Sequence, residues 1–146
     1  MGNLEQRLDG LAAGPPPAVT GLHHIAVTVR DVDASARWYG EVFGLEPVLD
    51  RRSDDGDVSI LGNGSMLLGL QRHPGSEDGG GFDHRRIGLD HVAIGCADDA
   101  AIDAWADRLR ALEVAYTGPE TSAFGTHLNL RDPDGVAIEL FAPAEA

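Results

Sequence analysis

The sequence contains an internal repeat, and this repeat restricts the fold more than any other feature. Shifting the chain by 67 positions aligns residues 21–39 (GLHHIAVTVRDVDASARWY) with residues 88–106 (GLDHVAIGCADDAAIDAWA). Seven of these 19 aligned positions are identical, and Leu45-Glu46 matches Leu112-Glu113 at the same shift. The chain is therefore predicted to contain one module of about 60 residues twice.

Both repeats show the same predicted order of elements. An alternating strand, Leu22–Val29 or Leu89–Cys96, leads into an aspartate suited to capping a helix, Asp31 or Asp98, and then into an amphipathic helix. Three short strands follow: Leu45–Arg51, Asp57–Leu61 and Ser65–Arg72 in the first repeat, and Val114–Thr117, His127–Arg131 and Val136–Ala142 in the second. The predicted fold class is α+β, with two tandem βαβββ modules forming a curved mixed sheet and helices on its convex side.

The repeat and the Gly- and Pro-rich stretches set the predicted boundaries. Residues 21–73 are the first module, residues 74–87 a connector and residues 88–146 the second module. The two modules make one domain over residues 21–143, and residues 1–20 are an N-terminal leader that ends in the stretch AGPPPAVT, residues 13–20.

Charge and composition narrow the classes of partner. The 24 acidic and 11 basic side chains give a net charge of −13, and such a surface repels nucleic-acid phosphates and anionic lipids. The sequence has no apolar run long enough to cross a membrane, its first residues lack the apolar core of a secretory signal, and its single cysteine, Cys96, cannot form an intrachain disulfide. We expect a cytoplasmic protein with a small-molecule substrate and neither nucleic acid nor membrane as partner.

Three side chains point to metal chemistry. His24 and His91 occupy equivalent positions in the two repeats. Strand alternation places small residues after each histidine on the same face. In the last strand, Glu139 lies on the face opposite Ile138 and Leu140. Two imidazoles and one carboxylate from separate strands can hold a divalent metal and leave coordination sites open. The alternative is that the histidines are structural and Glu139 caps a sheet edge; the duplication favours metal binding.

Three motifs, HIAVTVRD at residues 24–31, GLDH at residues 88–91 and DPDGVAIE at residues 132–139, resemble the vicinal oxygen chelate superfamily. This superfamily includes glyoxalase I, extradiol dioxygenases and bleomycin-resistance proteins. The resemblance covers about residues 21–143. It implies a metal site formed by His24, His91 and Glu139 and favours a homodimer, while the halves of the site can close within one chain or across two.

A fourth ligand position in this superfamily aligns with Gly69, which cannot bind a metal. Glyoxalase I-like members carry Glu or Gln there. A register slip of two residues presents Gln71 instead, which keeps a four-ligand site open as an alternative. With Gly69, the pattern is similar to the His-His-Glu iron site of extradiol dioxygenases.

Further candidates surround the predicted ligands. His127 and His73 are candidate proton carriers near the metal, although His127 also fits a surface position at a strand start. Residues predicted to contact substrate are Gln71, Asn129, Phe124 and Tyr116. Asn129 stands where extradiol dioxygenases usually carry a substrate-contacting tyrosine. For Phe124 and Tyr116, core packing is the alternative and the more common role of such side chains.

The resemblance therefore implies three candidate functions. The leading one is a metal-dependent dioxygenase-like oxidoreductase with Fe(II) favoured as cofactor and Mn, Ni, Zn or Co as alternatives. It would act on a small aromatic or vicinal-oxygen substrate. The second is a glyoxalase I- or epimerase-like lyase or isomerase that works through an enediolate. The third is a non-catalytic drug-binding resistance protein, which the complete His-His-Glu set argues against.

Overall fold

The computed structural model describes residues 14–145 and confirms the βαβββ repeat; part of the predicted leader, residues 1–13, lies outside this range. The first half contains β1 (Ile25–Thr28), α1 (Val32–Phe43), β2 (Glu46–Ser53), β3 (Gly56–Gly62) and β4 (Leu67–Arg72). A single 3-10 turn, Ser76–Asp78, follows. The second half contains β5 (Val92–Gly95), α2 (Asp99–Ala111), β6 (Tyr116–Ser122), β7 (Gly125–Arg131) and β8 (Ala137–Pro143). Neither of these two helices is long and apolar enough to span a membrane.

The strands form two four-stranded mixed sheets with the same topology. Their orders are β1-β4-β3-β2 and β5-β8-β7-β6. In each sheet the strands that come first and last along the chain pair in parallel, β1 with β4 and β5 with β8. The remaining pairs are antiparallel. The register sets Ala26 opposite Gly69 in the first sheet and Ala93 opposite Glu139 in the second. The parallel pair of each half thus repeats that of the other in register.

The predicted aspartate caps start both helices. Asp31 Oδ1 accepts a hydrogen bond from the Ala34 backbone N–H at 2.9 Å, and Asp98 Oδ1 accepts one from Ala101 at 2.8 Å. These bonds satisfy backbone donors that the first helical turn leaves free. The first helix ends at Gly44, whose left-handed backbone (φ 68°) suits a residue without a Cβ.

One face of each sheet is buried beneath the helix of its own half. The buried side chains of the first half include Val27, Leu61, Leu68 and Leu70, and those of the second half include Leu128, Leu130, Ile138 and Leu140. Because side chains alternate along a strand, their neighbours point to the other side of each sheet. We call these sides the open faces, and they carry the predicted metal ligands.

A buried hydrogen bond joins the two halves. The Tyr39 hydroxyl on α1 donates to Asp132 Oδ2 in the β7–β8 turn at 2.9 Å, and these residues are only 3% and 6% exposed. Asp132 Oδ1 accepts backbone hydrogen bonds from Asp134 and Val136, which fold the turn. Burial raises the pKa of Asp132, and it also raises the pKa of Tyr39, with a further contribution from the nearby Asp132 charge.

We predict that Tyr39→Phe lowers the free energy of unfolding by about 1–3 kcal/mol, because the buried Asp132 oxygen loses its side-chain donor. The matched control is Tyr116→Phe, whose hydroxyl accepts a hydrogen bond from the exposed Arg110. We expect it to stay within about 0.5 kcal/mol of the parent chain. Urea unfolding measures both changes, and equal effects of the two variants would contradict this role of Tyr39.

We predict that Asp132→Asn changes how stability depends on pH. The folded state raises the pKa of Asp132, so its contribution to stability is complete below the ordinary carboxyl pKa and is lost as pH rises through the folded-state pKa. The asparagine variant keeps a side-chain oxygen for the turn and has no charge to bury. Urea unfolding of both chains from pH 4 upward should show the variant gaining stability relative to the parent, and a constant difference would contradict the argument.

Candidate metal centre

The second sheet brings two of the three predicted ligands onto one open face. His91 immediately precedes β5, and two residues later Ala93 pairs with Glu139 on β8. On the other side of β8, Glu139 pairs with Asn129 on β7. Glu139 lies on the open face of β8, and extending the alternation of β5 back by one residue places His91 on the same side. The His91 side chain is 48% exposed, whereas Glu139 is half-buried.

Small residues leave space on this face. Ala93 and Gly95 follow His91 along β5, and a Cβ added to Gly95 would meet no heavy atom within 4 Å. Phe141 pairs with Gly95 from the neighbouring strand β8. The surface around the two predicted ligands therefore carries small residues and one aromatic side chain beside the polar ones.

The first sheet repeats this arrangement without the carboxylate. His24 immediately precedes β1, and Gly69 pairs with Ala26 where the second sheet has Glu139 opposite Ala93. A Cβ added to Gly69 would lie 3.1 Å from the Ala26 Cβ, so the two strands are packed closely here. Gln71 lies two residues further along β4 on the same face and pairs with Thr28. The register thus matches the alignment that gives this sheet no ligand at position 69.

Each predicted histidine ligand contacts the residue before it. His91 Nδ1 lies 2.7 Å from Asp90 Oδ1, and His24 Nδ1 lies 2.9 Å from His23 Nδ1. The hydrogen bond with His91 lowers the pKa of the Asp90 carboxyl. Both contacts engage Nδ1 of the predicted ligand.

A single chain does not bring the three predicted ligands together. Among residues 14–145 of one chain, no three histidine, cysteine, aspartate or glutamate side chains lie close enough to hold a metal ion. His91 and Glu139 share one open face, and His24 holds the equivalent place on the other sheet. The residues at the start of both open faces, His24, Ala26, His91 and Ala93, are exposed.

The two candidate proton carriers belong to different sheets. His127 on β7 pairs with Phe141 on the open face that carries Glu139. Its Nε2 atom lies 3.6 Å from Glu120 Oε2 on the neighbouring strand. His73 directly follows β4 and lines a cavity of about 540 Å³ beside β1 and the connector. His127 therefore lies on the strand face that carries Glu139, whereas His73 lies beyond the end of β4 in the first half, in a cavity that Ala26 and Thr28 also line.

The four predicted substrate-contacting residues do not lie together either. Asn129 faces the open side directly across from Glu139, and Gln71 faces the open side of the first sheet. Tyr116 pairs with Leu130 on the helix-covered side, and its hydroxyl accepts a hydrogen bond from Arg110 at 3.1 Å. Phe124 lies in the β6–β7 turn and is 80% exposed. The alternative of core packing thus describes Tyr116 but not Phe124.

Two polar contacts involve Asp90 and Glu120, neither of which is a site residue predicted from the sequence. Asp90 carries a carboxylate directly beside a predicted ligand, and this adjacency was a usable signal. Glu120 follows an irregularity in the pairing of β6 with β7 after Thr117, so simple alternation could not place it.

A family model and several solved structures match this chain, and they point to the same superfamily. The model of the glyoxalase/bleomycin resistance protein/dioxygenase superfamily matches residues 21–140. A glyoxylase/bleomycin resistance protein/dioxygenase domain from Frankia sp. EAN1pec is 32% identical, with a TM-score of 0.77 over 88% of this chain and 96% of that one. Lactoylglutathione lyase from Agrobacterium tumefaciens is 26% identical, with a TM-score of 0.64 over 88% and 95%.

A third similar structure is the fosfomycin resistance protein FosX from Listeria monocytogenes. It is 19% identical, with a TM-score of 0.65 over 87% of this chain and 94% of that one, which shows the same fold. No curated protein sequence matches the chain significantly.

Proposed function

Because the chain belongs to the glyoxalase/bleomycin resistance protein/dioxygenase superfamily, we propose that it is a metal-dependent enzyme that acts on a small molecule with two adjacent oxygen atoms. The proposed ligands are His24, His91 and Glu139. The observation that carries the proposal is that Glu139 on β8 and His91, one residue before the neighbouring strand β5, fall on the same side of the sheet by strand alternation, with small residues around them. Two imidazole nitrogens and a carboxylate oxygen form a donor set that fits a divalent ion.

We further propose that a second copy of the chain completes the site. His24 of one copy would join His91 and Glu139 of the other, and a symmetric dimer would then contain two equivalent sites. The exposure of both histidines and of the small residues beside them on the open faces supports this arrangement. Covering these faces with each other would also remove their apolar parts from water.

When bound, the metal would act as a Lewis acid that lowers the pKa of a substrate hydroxyl group and stabilises the resulting anion. The chain's own groups would do the remaining work. The His127 imidazole, on the same face as Glu139, would take up the proton that the substrate hydroxyl releases. Asn129, directly across from Glu139, would hold a substrate oxygen through its amide, and Ala93 and Gly95 would leave space for the substrate ring.

We propose dioxygenase-like oxidation, with Fe(II) as the favoured metal, as the reaction class. Gly69 supplies no fourth ligand on the first sheet, and a metal with two histidines and one carboxylate keeps positions open for both substrate and oxygen. Structures of FosX were obtained with Mn(II), which supports a divalent metal on this fold and keeps Mn among the alternatives.

A second candidate function is a glyoxalase-like lyase or isomerase. Gln71 favours it, because this residue lies on the open face of the first sheet two residues from Gly69 and carries an oxygen that can bind a metal. The similarity to lactoylglutathione lyase at 26% identity supports this candidate too. Under this alternative, Gln71→Ala releases metal and no oxygen is consumed.

We predict that anaerobically purified protein contains about one divalent metal ion per chain and consumes oxygen with a catechol or hydroxyquinone. His91→Ala should lose both the metal and the turnover because one imidazole ligand is gone. His84→Ala, which changes an exposed connector histidine, should keep both. Elemental analysis and an oxygen electrode measure these outcomes, and turnover that survives chelation and His91→Ala would contradict a metal mechanism.

Mixing variants tests whether the site spans two chains. A dimer of one His24→Ala chain and one His91→Ala chain keeps one intact site, so a statistical mixture should recover about a quarter of the parent's metal content. A mixture of His91→Ala with Glu139→Gln keeps no intact site and should recover none. Equal recovery in the two mixtures, or recovery in neither, would contradict a site shared between copies.

A further inference from the structure

The contact between Asp90 and His91 fixes where the imidazole proton lies. His91 Nδ1 is 2.7 Å from Asp90 Oδ1. An ionised carboxylate only accepts hydrogen bonds, so the imidazole must donate and the hydrogen must be on Nδ1. In a neutral imidazole, the lone pair available to a metal is then on Nε2.

The position of His91 just before β5 leaves its ring with few other contacts, so the hydrogen bond to Asp90 matters for the orientation of the ring. Asp90 and His91 both lie just before β5, and the paired residues of that strand begin at Val92. The His91 backbone lies outside the paired part of the strand, and its side chain is about half-exposed, so close packing does not hold its ring. A side chain that must be ordered on binding loses conformational entropy at that moment. A hydrogen bond that orders it beforehand reduces this cost.

The first repeat gives an internal comparison. His23 occupies the position equivalent to Asp90, 67 residues earlier, and its Nδ1 lies 2.9 Å from His24 Nδ1. Either imidazole can be the donor in this pair. The partner therefore fixes the ring proton in the second repeat but not in the first.

We propose that Asp90 is a positioning residue for His91: it holds the hydrogen on Nδ1 and orients the ring, so that Nε2 is free for the metal. This inference rests on the proposed function, in which His91 is a ligand. A carboxylate that accepts the second N–H of a ligating histidine also makes the ligating nitrogen more basic. Asp90 touches neither metal nor substrate and acts only through His91.

The first test concerns the metal-free protein. In the full-length ¹⁵N-labelled chain, at a pH where imidazoles are neutral, long-range ¹H–¹⁵N correlation identifies which ring nitrogen of His91 carries hydrogen. We expect Nδ1–H in the parent chain and in Asp90→Asn, whose amide oxygen still accepts. In Asp90→Ala we expect the Nε2–H form that free histidine prefers. An Nε2–H form in the parent chain, or no change in Asp90→Ala, would overturn the proposal.

The second test measures the affinity for Mn(II), by the electron paramagnetic resonance signal of unbound Mn(II). We expect Asp90→Ala to weaken binding by about 10- to 100-fold and Asp90→Asn to weaken it less. Asp55→Ala removes the same charge from the turn between β2 and β3 and should leave the affinity unchanged.

The outcomes separate the two proposals. If Asp90→Ala shifts the His91 proton but leaves Mn(II) affinity at the parent value, the positioning role is wrong while the metal site stands. The same conclusion follows if Asp55→Ala weakens binding as much as Asp90→Ala, since charge alone then explains the loss. If the parent chain binds no divalent metal, the proposed function fails and the positioning role fails with it, even where the His91 proton lies on Nδ1.

Discussion

The burial of one face of each sheet beneath a helix is the constraint on which the candidate site depends. Because side chains alternate along a strand, covering Val27, Leu70, Ile138 and Leu140 obliges their neighbours to point the other way. A shift of one residue in any of these strands would exchange the two sets and expose the core. The hydrophobic contacts that stabilise the fold therefore also fix which side chains reach the open faces.

The two halves of the chain have the same strand pairing, and they differ in the side chains at equivalent positions of the candidate site. Parallel pairing of the first and last strands sets a small residue opposite the ligand position in both halves, yet this position is Gly69 in one and Glu139 in the other. The residues before the histidines differ as well, His23 in one half and Asp90 in the other. One half thus offers two adjacent imidazoles and no carboxylate at the paired position. The other offers an imidazole, a carboxylate at the paired position and a second carboxylate that fixes a ring proton.

The sequence was sufficient to predict the repeat, the element order, the helix caps and the facing of the strands, because these features follow from local periodicity and capping chemistry. The sequence could not show that hydrogen bonding divides the strands into two sheets, nor that Tyr39 reaches Asp132 across 93 positions. It also could not give side-chain contacts such as that of His127 with Glu120, which follows a pairing irregularity. The assignment of His24, His91 and Glu139 as metal ligands stays a prediction, since it depends on how two chains approach each other.

If these three side chains meet at one ion, a crystal structure of the metal-loaded protein with anomalous scattering data will show a peak bounded by His24 of one protomer and by the histidine and glutamate at positions 91 and 139 of the other. A peak that excludes Glu139, or a dimer in which the two open faces point away from each other, would contradict this shared site.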